Sequence, residues 1–278
     1  MFDYCIEGDL VEENYTLTGE IISQFDHVIN IKTAQNNGFA IIDSKVIMAP
    51  YHIQVPDYIF QQIAEHVKEN STIKIFENKI KYGNRTFSYK EKEIYKGIIN
   101  SHSDKKKDQI INWTEKVIKN TKKLGSLDKT ILNYKEIINN LDEFNLTPLQ
   151  REFYKNLKKI LAGECSIEKL LGLGIGLTPT GDDFIVGYLS ALEAEVIKDK
   201  LDVVDNLKLS DIFARTTRVS ALHLKAALNH RFNKKLVDIY KNLSGEEKEY
   251  IKNTKKLLKV GNSSGLDMLS GLYFGLVI

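Results

Sequence analysis

The sequence predicts an α+β chain, with a small β-rich N-terminal domain, barrel- or sandwich-like, followed by a larger and mostly α-helical domain. Three observations predict it. Short runs of β-branched and aromatic residues crowd the first ninety positions. Apolar residues at three-to-four spacing dominate the later positions. Between them SHSDKKKD (101–108) carries no apolar residue and reads as an exposed connection. The boundary is set near residue 100, giving domains of 1–100 and 101–278.

In chain order, YTLTGEIIS, HVINIKT, GFAIID and KVIMAP read as strands, with Asp43-Ser44 as a hairpin turn. DYIFQQIAEHVKE (57–69) reads as an amphipathic helix with Asp57 as its N-cap after Pro56. A second meander follows in TIKIFENKIKYGNRTFSY, where Glu77-Asn78 and Gly83-Asn84 sit at tight turns. The helical part opens with WTEKVIKNTKKL, TILNYKEIINNL and PLQREFYKNLKKIL, the last capped by Thr147 with Pro148 in its first turn. Ser166 caps a short helix, IEKLLGLG. FIVGYLSALEA, DIFARTTRVSALHLKAAL, 236–243, 246–258 and DMLSGLYFGLVI complete the helices.

Composition excludes several functions. With 39 basic and 37 acidic residues the net charge is +2, so no field favours nucleic acid. Cys5 and Cys165 are the only cysteines, which rules out a disulfide framework or a multi-cysteine zinc site. The histidines lack metal-ligand spacing. Neither a signal peptide at the start nor an apolar run of membrane-spanning length is present, so a cytoplasmic protein without membrane attachment is expected.

The densest feature is LGLGIGLTPTGDDFIVG (171–187). It is neither a Walker A loop nor a dinucleotide fingerprint, because no GK[ST] follows and its glycines do not make G-x-G-x-x-G. Thr180 and Asp183 have capping-box spacing, which starts a helix near Gly181. TGDDFIVG (180–187) and SGLDMLSG (264–271) share [ST]-G-x-D-[FM]-[IL]-x-G. The matched glycines at 187 and 271 would let two helices pack closely, bringing both N-termini to one anion-favouring spot. Asp183 returns to its cap in this reading, whereas Asp182 has Leu266 in its place in the second octet, so Asp182 is the one expected to face a ligand.

A third polar cluster, ARTTRVSALHLKAAL (214–228), places Arg218 beside hydroxyls, as a carboxylate or phosphate would want. The candidate catalytic residues are Asp182, Asp183 and Asp267. Candidate substrate-binding positions are Gly174, Gly176, Thr178, Thr180 and Gly181, then Thr217, Arg218 and Ser220, then Asn262, Ser263, Ser264 and Gly265. The aspartates serve as caps, orient a substrate NH₂ or a lysine, or hold a divalent cation.

GLGIGLTPTGDDFIVGYLSAL, TTRVSALHLKAALNHRF and VGNSSGLDMLSGLYFGL together resemble the DUF2877 family, whose best-understood members are the AllH-type subunits of oxamate carbamoyltransferase. Asn262 stands where the family pattern has histidine, which removes an acid–base group there. The resemblance implies phosphorolysis of oxalurate to oxamate and carbamoyl phosphate in purine and allantoin catabolism, shared with other protein subunits. The implied ligands are small anions: carbamoyl phosphate, phosphate or an oxalurate-like acid. A non-catalytic subunit that binds an anion or assembles a complex is the alternative.

Overall fold

Alternation of β-branched residues builds a sheet wherever one face can be buried, and the first part of the chain does so. The computed structural model describes residues 4–11, 16–33, 37–100, 107–194, 209–241, 243 and 245–278. Nine strands lie in one curled, half-barrel sheet: β1 (Tyr4–Gly8), β2 (Thr16–Phe25), β3 (Val28–Lys32), β4 (Gly38–Ile42), β5 (His52–Gln54), β6 (Thr72–Phe76), β7 (Lys79–Tyr82), β8 (Arg85–Ser88) and β9 (Glu91–Tyr95). Their order is β8-β7-β6-β2-β3-β4-β5-β1-β9. Ile29 and Ile31, Ile73 and Ile75, and Ile80 point to one face, where they join Ile59, Phe60 and Ile63 of α1 (Asp57–Ala64) in a single apolar cluster.

The turns at Glu77-Asn78 and Gly83-Asn84 form as expected, between β6, β7 and β8. KVIMAP does not form a strand, and Asp43-Ser44 is not a hairpin turn. β4 pairs in parallel with β5, so the link between them must cross over rather than reverse, and a two-residue turn cannot do that. The link is tied instead by the Asp57 carboxylate, which accepts from Ser44 N at 2.9 Å and from the Ser44 hydroxyl at 2.9 Å. Asp57 is thus the first helical residue and Pro56 the N-cap. The helix ends at Ala64, short of Glu69, and Asn70 at φ 61° turns the chain into β6. Strands β1 and β9, which pair in parallel, were not foreseen.

The chain divides into two compact units, Met1–Ile98 with Arg231–Lys234, and Ile99–His230 with Lys235–Ile278. The return of Arg231–Lys234 to the first unit is made by specific bonds. Phe232 N donates to Gly97 O at 2.8 Å, Tyr95 Oη donates to Phe232 O at 2.9 Å, and Arg231 Nε donates to Asp9 Oδ2 at 2.7 Å.

The second unit is helical: α2 (Lys107–Asn120), α3 (Tyr134–Asn139), α4 (Pro148–Leu161), α5 (Thr180–Glu193), α6 (Leu209–Arg215), α7 (Arg218–Leu228), α8 (Lys234–Tyr240), α9 (Glu247–Leu257) and α10 (Ser264–Val277). Short 3₁₀ helices occupy Asp128–Asn133 and Ile167–Leu170. Residues 101–106 of the expected connection lie outside the described residues, and Lys107 and Asp108 are already helical. Thr147 and Gln150 form the capping box of α4, at 3.2 Å and 3.0 Å, whereas Ser166 makes no side-chain cap bond. Every residue of 180–191 in α5 and of 265–276 in α10 is buried, so this pair is the core on which the other helices pack. Phe184, Tyr188 and Phe274 stack between them, with ring centroids 5.4 and 5.9 Å apart. The stretch DIFARTTRVSALHLKAAL is two helices, because Thr217 breaks the run and caps α7 by accepting from Ser220 N at 3.1 Å. Among the described residues no helix is long and apolar enough to cross a membrane.

Candidate functional site

Two helices approach this closely only where side chains are missing. A Cβ on Gly187 would lie less than 3.0 Å from Met268 O, and one on Gly271 less than 3.0 Å from Phe184 O. Gly187 matches Gly271 and Phe184 matches Met268 in the two octets, so the contacts are reciprocal. The pair therefore has a local two-fold relation with both N-termini at one end. The entries repeat it. Gly181 packs on Leu170 O and Gly265 on Leu257 O, while Asp183 N donates to Pro179 O at 3.1 Å and Asp267 N to Ser263 O at 3.0 Å. The Thr178 and Ser264 hydroxyls hydrogen-bond across the pair at 2.8 Å. The two helix dipoles give this end partial positive charge, while the Gly181, Asp182, Gly265 and Leu266 N–H groups are already bonded to Leu173 O, Pro179 O, Val260 O and Ser263 O.

The capping-box reading of the octets is corrected. α5 starts at Thr180, so Pro179 is the N-cap and has no N–H for a carboxylate to return to. Asp183 is the fourth helical residue, as Asp267 is in α10, whose N-cap Ser263 makes no side-chain cap bond.

The adjacent aspartates have surroundings that the sequence did not predict. Both Asp182 oxygens are satisfied by protein: Oδ1 accepts from Gly172 N at 2.8 Å, and Oδ2 accepts from the Ser220 hydroxyl at 2.7 Å and from the Thr216 hydroxyl. This carboxylate ties the glycine loop, α5 and the α6–α7 break together. Burial raises its pKa, and those three donors oppose the rise.

Asp183 and Asp267 are different. Each is buried, and each has an Oδ2 with no hydrogen-bond partner. Such a group costs about 1–3 kcal/mol and calls for an explanation. The support is again reciprocal, since the Ser264 hydroxyl favours the charge on Asp183 while the matching Thr180 hydroxyl favours that on Asp267. Thr178 adds to the first; Ser126, Ser263 and the Leu127 N–H, at 3.2 Å from Oδ1, add to the second. Burial nevertheless dominates. It holds Asp183 well above the ordinary carboxylate range, helped by the field of Asp267, and pushes Asp267 up to about 6.

The rest of the expected set is spread around this centre. Gly174 and Gly176 have φ of 126° and 92°, values that suit glycine, in a loop whose Ile175 is 92% exposed. Thr217 caps α7 and donates to Leu177 O, and Ser220 is committed to Asp182. Arg218 opens α7 and is half-buried, and Asn262 is exposed on the turn before α10. Sequence reasoning missed Lys123, whose ammonium donates to Val260 O at 2.8 Å, to Gly261 O at 2.8 Å and to Leu258 O. It secures the turn into α10 and lies in the field of Asp267. Nothing local marks it within KNTKKL, because its partners are 135 or more positions away. Ser126 and Leu127 were missed for the same reason.

Among the described residues no three of His, Cys, Asp and Glu gather to hold a metal. The two open carboxylate oxygens are hard donors that suit a divalent cation, which would draw its other ligands from hydroxyls, water or a phosphate. No solved structure matches this chain. The family model for the AllH family N-terminal domain matches residues 4–93, which span the sheet. That for the oxamate carbamoyltransferase subunit AllH matches residues 170–276, which begin before the glycine loop and hold both octets. The chain belongs to the AllH family of oxamate carbamoyltransferase subunits.

Proposed function

We propose that the paired N-termini of α5 and α10 form a carbamoyl-transfer site for the reaction of oxalurate with phosphate to give oxamate and carbamoyl phosphate. The observation that carries this is the pair of buried carboxylates, Asp183 and Asp267, each with an open oxygen. A carbamoyl NH₂ has an N–H donor to offer the open oxygen of Asp183, while the positive ends of the two helix dipoles suit the phosphate and the oxalurate carboxylate. In the transfer a phosphate oxygen bonds to the carbamoyl carbon and the carbon–nitrogen bond to the oxamoyl group breaks. The departing nitrogen takes a proton from the Asp267 carboxyl, which its raised pKa keeps partly protonated near neutrality. The hydrogenphosphate proton restores that carboxyl as the new carbon–oxygen bond forms. Asp182, Thr216, Thr217 and Ser220 position the loop, and Lys123 positions the turn before α10.

The test is calorimetric titration of carbamoyl phosphate, oxalurate and phosphate into the chain alone and with the other subunits of the enzyme, repeated with Asp183→Asn and Asp267→Asn. Support is ligand heat in the native protein that both variants lose while still folding. Equal binding in both variants overturns the reading. In that event the chain is an assembly subunit, a view that the nearly bare Ile175 and half-exposed Leu177 in the glycine loop favour.

A further inference from the structure

Lysine is abundant over the whole surface, yet its neighbours differ from place to place. On α2 and α9 three lysines have acidic partners: Lys119 with Glu115 at 2.6 Å, Lys252 with Glu249 at 3.2 Å, and Lys116 with Glu247 at 2.7 Å. Lys122, Lys255 and Lys259 have none among the described residues. All three rim a groove of about 720 Å³ between the C-terminal halves of α2 and α9, whose floor is Val117, Ile251 and Leu258. No acidic residue lines it.

Two helix C-termini end beside this groove, and lysines placed there offset the negative end of each dipole. The magnitudes leave charge to spare. Two termini supply about half a negative charge each, against three full positive charges. Lys123, which also lines the groove, is already committed to the carbonyls that close α9. The volume falls in the range of about 300–1,000 Å³ usual for small-molecule sites, and an apolar floor beneath a polar rim is the usual composition of such a site.

We propose that this groove binds a nucleotide-sized organic phosphate, with its ring body on the Val117–Ile251–Leu258 floor and its phosphates on Lys122, Lys255 and Lys259. The site is separate from the carboxylate pair and is independent of the carbamoyl-transfer reading. An acidic segment of another protein would find the same charge but would not need the apolar floor.

Calorimetric titration of the whole chain at physiological salt tests this with ATP as the probe, beside tripolyphosphate and adenosine as its two halves. ATP should bind, tripolyphosphate roughly tenfold or more weakly, and adenosine without measurable heat. The double variant Lys255→Gln/Lys259→Gln, at exposed positions that leave the fold intact, should weaken ATP roughly tenfold or more, while Asp183→Asn leaves it unchanged. Absence of ATP binding overturns the proposal. So does tripolyphosphate binding as tightly as ATP, which would mean surface charge alone. Unchanged affinity in the lysine variant, or full displacement of ATP by a poly-glutamate peptide of equal charge, overturns it as well.

Discussion

Aspartates 182 and 183 are chain neighbours with opposite surroundings. Asp182 receives three hydrogen bonds, so its replacement by Ala takes the acceptor from the buried Ser220 hydroxyl and from the half-buried Gly172 N–H and Thr216 hydroxyl. That variant should lose about 3–5 kcal/mol of stability, read as a fall in melting temperature of about ten degrees or more. Asp183 and Asp267 predict the reverse. Their folded pKa values lie above those of an unfolded aspartate, so folding takes up protons. For Asp267 the stability it contributes is full below about 4 and is lost as pH rises through about 6. The native protein should therefore melt at a higher temperature at pH 5.5 than at pH 8, by several degrees. Asp267→Asn should flatten that dependence and be the more stable protein at pH 8, and differential scanning fluorimetry across this range checks both. An Asp267→Asn melt with the native slope would show that the buried carboxylate is already compensated.

Elements succeed or fail according to how local their causes are. The α5–α10 crossing depends on two absent side chains, so Gly187→Ala and Gly271→Ala should each cost about 1–3 kcal/mol or more, because a methyl group meets backbone that cannot step aside. Equal losses from the two, measured by urea unfolding, would express the reciprocity of the contact. This crossing was legible in the sequence, since six matching positions of eight with glycines in register say that two helices share an arrangement. The hairpins β6–β7 and β7–β8 were legible too, because turn residues act within four positions. What the sequence hid was set at a distance. KVIMAP has the composition of a strand, but the parallel pairing of β4 with β5 leaves it as the crossing link. Thr217 sits inside a helical period, yet its hydroxyl serves Ser220 N and Leu177 O, so the run divides there. The octets revealed that Asp183 and Asp267 correspond, but Pro179, which has no N–H to be capped, turned Asp183 from a cap into one of the two open acids.

At the scale of the whole molecule, an enzyme built from several subunits needs faces that become covered on assembly. Ile175 and Leu177 stand out from the loop that leads into α5, and burying them on another subunit offers a gain of about 1.5–3 kcal/mol each. Ile175→Asp should thus abolish co-purification with the other subunits while leaving the melting temperature of the isolated chain within about a degree. Unaltered assembly would move the contact to another face. The short return of Arg231–Lys234 has a consequence for how the protein can be divided. The sheet unit is not a continuous stretch of polypeptide: Phe232, 2% exposed, comes to it from 134 positions beyond Ile98. A fragment ending at residue 98 would carry all nine strands yet leave Gly97 O, the Tyr95 hydroxyl and Asp9 without the partners that segment supplies. Ribosomal synthesis meets the same interval, because the N-terminal sheet waits for more than a hundred further residues to emerge before its last piece arrives.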